Sequence, residues 1–294
     1  MKKYTLAEFR KNYPNDDACL DKLFKLRFTG LICPTCDDET QFVRTKGRRS
    51  FYCTCCGFQV YPTQGTIFEK TTTPLLYWFH AIYLQTTTRN GVSAKELERN
   101  FDICYKTALR MAHQIKISMA NTDNTPLNGI VECDETFIGG KSEFMHADKR
   151  EKLVKNGNGM SHLIPVVAMV QRDGEIRTTI ITEVNKKTLY PTIEKNISKQ
   201  AIFLTDGLGA YVEIGRTFKK HESVSHANGE YVRGDWHTNT VEGFFSQLKR
   251  TIKGTHIHVS KKHLKKYVDE VAFRYVNRDN QDIMFDLILQ RIAC

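Results

Sequence analysis

The chain has 294 residues, more than one domain usually holds, so two or three folded units are expected. Hydrophobic residues make up 40%, enough to build cores and to exclude a disordered chain. Lys plus Arg number 43 against 33 for Asp plus Glu, and the resulting +10 favours a polyanionic partner, although solubility alone would also account for it. No apolar run approaches the roughly 20 residues that span a bilayer. The stretch Met1-Lys2-Lys3-Tyr4-Thr5 lacks the apolar core of a signal peptide, so a cytoplasmic protein with no membrane partner is expected. Nine cysteines, odd in number and clustered, fit metal binding in a reducing compartment better than a disulfide framework.

Residues 1–29 carry an apolar pattern at Leu20, Leu23, Phe24 and Leu26 and read as a helical lead-in. Residues 30–62 contain Cys33-Pro34-Thr35-Cys36, then sixteen residues, then Cys53-Thr54-Cys55-Cys56. Two such pairs are the spacing of a four-thiolate zinc ribbon, with Cys33, Cys36, Cys53 and Cys56 holding one structural Zn²⁺. So short a segment cannot bury a core of its own, and the metal would supply the missing stability. Cys55 could replace Cys53 or Cys56. Between the pairs, Arg44, Lys46, Arg48 and Arg49 flank Phe51 and Tyr52, which suits phosphates and bases. A solvated basic turn is the alternative.

Residues 63–122 read as helical. Pro74 opens an apolar helix over 74–86 through Trp78, Phe79, Ile82 and Leu84. A helix from Ser93, a turn near Phe101-Asp102 and a second helix from about Cys104 follow, with Ala94, Leu97, Ile103, Ala108 and Met111 spaced to pack across the turn. This matches a helix-turn-helix, and the second helix carries Tyr105, Lys106, Arg110 and Lys116. Many helical hairpins share that pattern. The polar run Asn121 to Pro126 marks a domain boundary.

Gly129-Ile130-Val131-Glu132-Cys133-Asp134-Glu135-Thr136-Phe137-Ile138-Gly139-Gly140 reads as a short strand with three carboxylates at its centre. Burying an unpartnered charge costs several kcal/mol or more, so acids among core residues point to a bound cation, a solvated edge strand being the alternative. Alternation puts Glu132 and Asp134 on one face and Glu135 on the other, so at most two of the three could share an ion. Residues 141–162 read as a loop, followed by strands over Leu163–Val170 and Ile176–Ile181 joined at Arg172-Asp173-Gly174. A helix over Lys187–Asn196 leads to a buried strand, Ala201 to Gly207, that ends in Asp206. Strand ends carry chemistry, although Asp206 could equally cap the helix at Leu208 to Ile214. In the helix from His237, Val241, Phe245, Leu248 and Ile252 form one apolar stripe. Asn239, Glu242, Ser246, Lys249 and Lys253 form a second stripe beside it, which could also be a solvated charged face.

Asp134, Asp206 and Glu242 together could hold two divalent ions about 3.5–4 Å apart for an in-line phosphoryl displacement. Hard oxygen ligands and substrate phosphates select Mg²⁺ or Mn²⁺. Water attack would nick a DNA strand, and attack by a 3′-hydroxyl would join strands. His226 and His237 lie near the second and third acids and are candidates for action at the scissile phosphate, core or surface roles being commoner. His256, His258 and Lys261 to Lys266 begin a basic C-terminal helical region, 256–294, suited to touching DNA.

The chain resembles the zinc-ribbon, DDE-type insertion-sequence transposases of bacteria related to Merlin elements. The likeness rests on Tyr52 to Phe58, Gly65 to Glu69, Pro74 to Phe79, Val131 to Lys141, Thr205-Asp206-Gly207, His237 to Phe244, Leu248-Lys249-Arg250 and Phe273 to Arg278. It implies an α/β ribonuclease H-like catalytic domain over 125–255, a mixed sheet flanked by helices, preceded by the zinc ribbon and helix-turn-helix. The family's three acids fall on Asp134, Asp206 and Glu242, and its basic residue seven positions later on Lys249. Some relatives carry Asn at the third position, which makes Asn239 an alternative ligand. The carboxylate of Glu242 is the stronger ligand for a hard dication. The resemblance further implies double-stranded DNA partners, namely the element's terminal inverted repeats and a target, and a homo-oligomer in the nucleoid. DNA contacts are expected from Arg44, Lys46, Arg48, Arg49, Tyr105, Lys106, Arg110, Lys249 and Arg250. A catalytically dead DNA-binding regulator and a Mg²⁺-dependent structure-specific nuclease are the competing readings.

Overall fold

The computed structural model describes residues 4–37, 41–140, 142–148, 150–151, 162–224 and 236–293. The chain folds as two units, one of residues 1–119 with 279–294 and the other of residues 120–278.

In the first unit, α1 (Leu6–Asn12) starts at a capping box in which Thr5 and Glu8 satisfy each other's backbone N–H groups. Helix α2 (Asp16–Phe28) is capped by Asn15. Three short antiparallel strands follow, β1 (Phe42–Arg44), β2 (Phe51–Cys53) and β3 (Gln59–Val60). Helix α3 (Leu75–Thr87) begins directly after Pro74 and buries Trp78, Phe79, Ile82 and Tyr83. Ser93 and Glu96 cap α4 (Ala94–Phe101), which ends at Asp102 in the left-handed conformation (φ 50°), and α5 (Tyr105–Ser118) runs on from there. Leu97, Phe101, Ala108 and Met111 are buried in this helix pair.

The last helix, α10 (Met284–Ala293), belongs to the same unit. Its Phe285 lies among aromatic rings of α1, α3 and the turn after α1, with centroids 5.9 Å from Phe9, 5.5 Å from Tyr13 and 6.1 Å from Phe79. Residues 256–294 therefore divide at Asp279 instead of forming one C-terminal region. The reason is the apolar stripe Phe285, Ile288, Leu289 and Ile292, all buried, which completes a core laid down by residues over 190 positions earlier.

The second unit is built on a five-stranded mixed sheet in the order β6-β5-β4-β7-β8. Its strands are β4 (Ile130–Ile138), β5 (Ile164–Gln171), β6 (Ile176–Ile180), β7 (Ile202–Asp206) and β8 (Lys220–Val224). β4, β5 and β6 pair antiparallel, while β7 and β8 run parallel to β4. β4 is thus the central strand and not a solvated edge. On one face Val131, Cys133 and Phe203 pack against Leu189 and Ile193 of α6 (Lys186–Asn196) and Tyr211 and Ile214 of α7 (Gly209–Gly215). On the other, Val166, Ala168 and Val170 meet Val241, Phe244 and Leu248 of α8 (Asn239–Thr251) and Leu264, Val268 and Val271 of α9 (Leu264–Val276). Strand β8 was not legible as a strand because Lys-His-Glu-Ser-Val is polar, and charges are what an edge strand carries. Of the expected loop at 141–162, residues 152–161 lie outside the described residues, and Ser142–Phe144 form a single 3₁₀ turn. Among the described residues no helix is long and apolar enough to cross a membrane.

Removing the Phe285 ring leaves a cavity among the rings of Tyr4, Phe9, Tyr13 and Phe79, so Phe285→Ala is expected to destabilise the first unit by about 3–5 kcal/mol. Urea denaturation read by tryptophan fluorescence tests this through Trp78, and an unchanged midpoint would show that α10 is dispensable to that core.

Candidate active site

Two groups of side chains are placed for metal chemistry, one in each unit. In the first, the Sγ atoms of Cys33, Cys36, Cys53 and Cys56 all lie within 4.8 Å of one another, with Cys55 outside the group. The Cys33–Cys56 and Cys36–Cys53 sulfur separations are 3.6 and 3.9 Å. Four thiolates at about 2.3 Å from a tetrahedral Zn²⁺ stand about 3.8 Å apart, so the quartet fits that ion. The backbone builds the two halves alike. After each second cysteine the chain turns left-handed, at Asp37 (φ 53°) and Gly57 (φ 78°). Each of these N–H groups donates back to the carbonyl of the first cysteine of its pair, at 2.8 and 2.9 Å. The thiols share their protons unevenly. Burial opposes ionisation of Cys33, but N–H groups of Cys36 and Thr35 and the Cys56 thiol outweigh it, so its value is lowered. The Cys56 thiol and burial raise that of Cys36. Cys33→Ser is expected to lose one tightly bound zinc per chain by native mass spectrometry and to unfold the ribbon. A variant folded as well as the parent without metal would contradict this.

In the second unit, the register of the parallel pair places the acids. Cys133 stands beside Thr205, so Asp134 and Asp206, one step on, lie side by side where β7 ends. Asp134 is opposite Ala168, whose side chain belongs to the core under α8, so alternation directs Asp134 to the α8 face. Helix α8 packs on β4 and carries Glu242, exposed, in its first turn. The apolar stripe Val241, Phe244, Phe245 and Leu248 is buried, which sets the rotation of the helix and leaves Glu242 at the margin.

Charge accumulates there. The carboxyl of Asp134 is pushed up to about 7, first by burial and then by the charges of Glu135, Asp206 and Glu242, while the Glu135 N–H at 2.8 Å works in the opposite direction. Among the described residues the group of ligand atoms all within 4.8 Å of one another is the cysteine quartet, and the three acids are set more widely.

The other carboxylates of β4 are spoken for. Glu135 faces the opposite side and accepts the Tyr211 hydroxyl at 2.6 Å. Glu132 shares a face with Asp134, yet it is fully buried and saturated by donors: Thr240 N–H at 2.8 Å, Thr240 Oγ1 at 2.9 Å, Val241 N–H at 3.0 Å and Arg172 Nε at 2.8 Å. The expectation that Glu132 could share an ion with Asp134 is corrected by this network. Alternation gave the face but not the depth. The signal available in the sequence was an acid flanked by Val131 and Cys133 with no opposite charge nearby in the chain.

Asn239, Lys249 and Arg250 are exposed on α8, with Asn239 three residues before Glu242. His237 lies against Arg172, Nδ1 to Nη2 at 3.1 Å, and so sits in this buttress. His226 lies outside the described residues. Arg44 and Arg49, both expected at DNA, also have partners within the first unit. Arg44 pairs with Asp17. Arg49 donates to the carbonyls of Thr71 and Thr73 at 2.9 and 3.3 Å and reaches Asp16 at 3.5 Å, tying the ribbon to α2 and the loop before α3. Lys46 and Arg48 are exposed at the turn, as are Tyr105, Lys106 and Arg110 on α5. Lys116, counted with that basic face, is buried.

Residues 126–276 match the family described as ISXO2-like transposase domain, and the chain, over half of it matched, belongs to that family. It is also 27% identical over 276 residues, 90% of this chain and 92% of the relative, to an uncharacterized protein in transposable element ISH50 of Halobacterium salinarum. The mixed sheet with flanking helices is compatible with a ribonuclease H-like domain, and the cysteine quartet with a zinc ribbon.

A carboxyl raised in the folded state contributes stability that is complete below its unfolded value, about 4, and is lost as pH climbs through about 7. Without added divalent cations, Asp134→Asn is therefore expected to be more stable than the parent at pH 8, by about 2–4 kcal/mol, and no more stable at pH 4. Urea midpoints at the two pH values measure this, and equal differences at both would refute the crowding of Asp134.

Proposed function

We propose that the protein is a DDE transposase that binds the terminal inverted repeats of an insertion sequence and both cuts and joins DNA there. Membership of the transposase family supports DNA as partner. The single observation that carries the chemistry is the strand register that sets Asp134 beside Asp206 on the face covered by the helix bearing Glu242, with Asp134 met by one N–H among the described residues. In this reading, Asp134, Asp206 and Glu242 hold two Mg²⁺ or Mn²⁺ ions, with Asn239 as the alternative third ligand. When bound, such ions make water a competent nucleophile near neutral pH and stabilise the oxygen that leaves. A ribonuclease H-like frame gives the acids their order: central strand, neighbouring strand end, following helix.

The chain's own groups then do the positioning. Lys249 and Arg250, two turns along α8 from Glu242, hold backbone phosphates of the DNA across the acids. Water attacks the phosphorus at the element end, the bond to the 3′-oxygen breaks, and a 3′-hydroxyl is left. That hydroxyl then attacks a target phosphodiester, forming one phosphorus–oxygen bond as another breaks. End recognition falls to the zinc ribbon, through Lys46 and Arg48, and to α4 and α5 as a helix-turn-helix presenting Tyr105, Lys106 and Arg110. A homo-oligomer would hold two ends together.

Purified protein, linear DNA with candidate terminal repeats and a target plasmid in Mg²⁺ should yield strand-transfer products. Asp134→Ala and Glu242→Ala should yield none, a loss of at least about 10³-fold for a group acting at the reacting centre. Nicking without joining would mean a nuclease. Binding of repeats with neither reaction would mean a regulator.

A further inference from the structure

We infer that Glu132 is a positioning residue, a buried strap between β4 and the first turn of α8 that fixes Glu242 over Asp134 and Asp206. The inference rests on the proposed metal site.

The first N–H groups of any helix have no carbonyl within the helix to bond. Helix α8 starts at Asn239, and the residue in its N-cap position, Thr238, makes no side-chain cap bond. The N–H groups of Thr240 and Val241 instead point into one carboxylate oxygen of Glu132, at 2.8 and 3.0 Å. A strand residue 108 positions away thus does the work of a cap, with the charge sign that a helix N-terminus favours. The other oxygen takes the Thr240 hydroxyl at 2.9 Å and Arg172 Nε at 2.8 Å. With four donors on two oxygens, Glu132 has nothing left for an ion.

The strap continues outward on both sides. Arg172 also donates Nη2 to the His237 carbonyl at 3.1 Å, and its own N–H is held by the Ile130 carbonyl at 3.0 Å. The guanidinium therefore binds the segment entering α8 to the strand bearing Glu132. From α9, the Tyr275 hydroxyl donates to the Thr240 carbonyl at 3.2 Å. Gly243 permits that approach, since a Cβ there would come within 3.1 Å of the Tyr275 oxygen.

The leverage follows from sequence spacing. Glu242 is the residue immediately after Val241, and Asp134 is two residues from Glu132 on the same face of the same strand. The anchored atoms and the proposed ligands thus share two short rigid segments, and loosening the strap displaces Glu242 relative to the aspartates. Its signature is weakened cation binding with the chemistry otherwise intact, as expected for a group that orients a ligand.

The test uses the full-length, zinc-loaded protein and Mn²⁺ as probe. Mn²⁺ binding is titrated by electron paramagnetic resonance, and DNA nicking is followed against Mg²⁺ concentration. Glu132→Gln keeps an oxygen for the helix N–H groups but faces Arg172 without a charge. It is expected to raise the Mn²⁺ dissociation constant and the half-saturating Mg²⁺ about tenfold, with the rate at saturating Mg²⁺ within about threefold of the parent. Arg172→Lys, which keeps the charge but loses the fork to His237, should shift both in the same direction and serves as the test if Glu132→Gln fails to fold by circular dichroism. A folded variant with parental Mn²⁺ affinity and Mg²⁺ requirement overturns the inference, even if its melting temperature falls. Asp134→Ala with parental Mn²⁺ affinity would instead overturn the metal site.

Discussion

A carboxylate inside a protein must be met by donors, by a cation or by a proton, and β4 carries three carboxylates through the middle of a sheet. Each is answered differently. Glu132 is given four donors, including the N-terminal amides of α8 and the Arg172 guanidinium. Glu135 is given the phenol of Tyr211 on the other face. Asp134 receives one backbone N–H and the repulsion of its neighbours, and its carboxyl is driven up to about 7. The organisation of the second unit can be read as the consequence of solving two of these problems within the protein and leaving the third for a ligand.

The parallel β4–β7 register makes the unsolved charge a shared one, because it sets Asp206 beside Asp134. Helix α8 is then held by a mixed contract. Its apolar stripe against Val166, Ala168 and Val170 sets which side faces the sheet. The Glu132 carboxylate sets where along the sheet the helix begins. Hydrophobic burial is non-directional and tolerates sliding, whereas two amide hydrogen bonds to one carboxylate do not. In the first unit the same division recurs at smaller scale. The aromatic cluster around Phe285 supplies burial, while the cysteine quartet and Arg49 fix the small sheet that has little core of its own.

Much of this was legible in the chain. The cysteine spacing, the Ser93 cap, the strand through Asp134 and the apolar stripe of α8 are local patterns whose meaning does not depend on distant residues. What escaped depended on partners far away in sequence. Arg44 and Arg49 read as a basic turn, while their acidic neighbours Asp17 and Asp16 stand 27 and 33 positions earlier. Glu132 looks like a second metal ligand because alternation reports a face and not what waits there. α10 looks like an appendage because its core partners lie near the opposite end of the chain. β8 is too polar and short to show a strand period. Asp134, Asp206 and Glu242 stood out in the chain because they fall at a strand centre, a strand end and a helix start, and a resemblance to zinc-ribbon transposases named the same positions.

The central claim is that Asp134, Asp206 and Glu242 converge on divalent cations. Anomalous diffraction at the manganese edge, from crystals of the protein with Mn²⁺ and a repeat-end DNA duplex, addresses it directly. The account predicts two anomalous peaks about 3.5–4 Å apart, bounded by the oxygens of these three side chains and a DNA phosphate. Peaks elsewhere, or none in a crystal that contains the DNA and an occupied zinc ribbon, would contradict it.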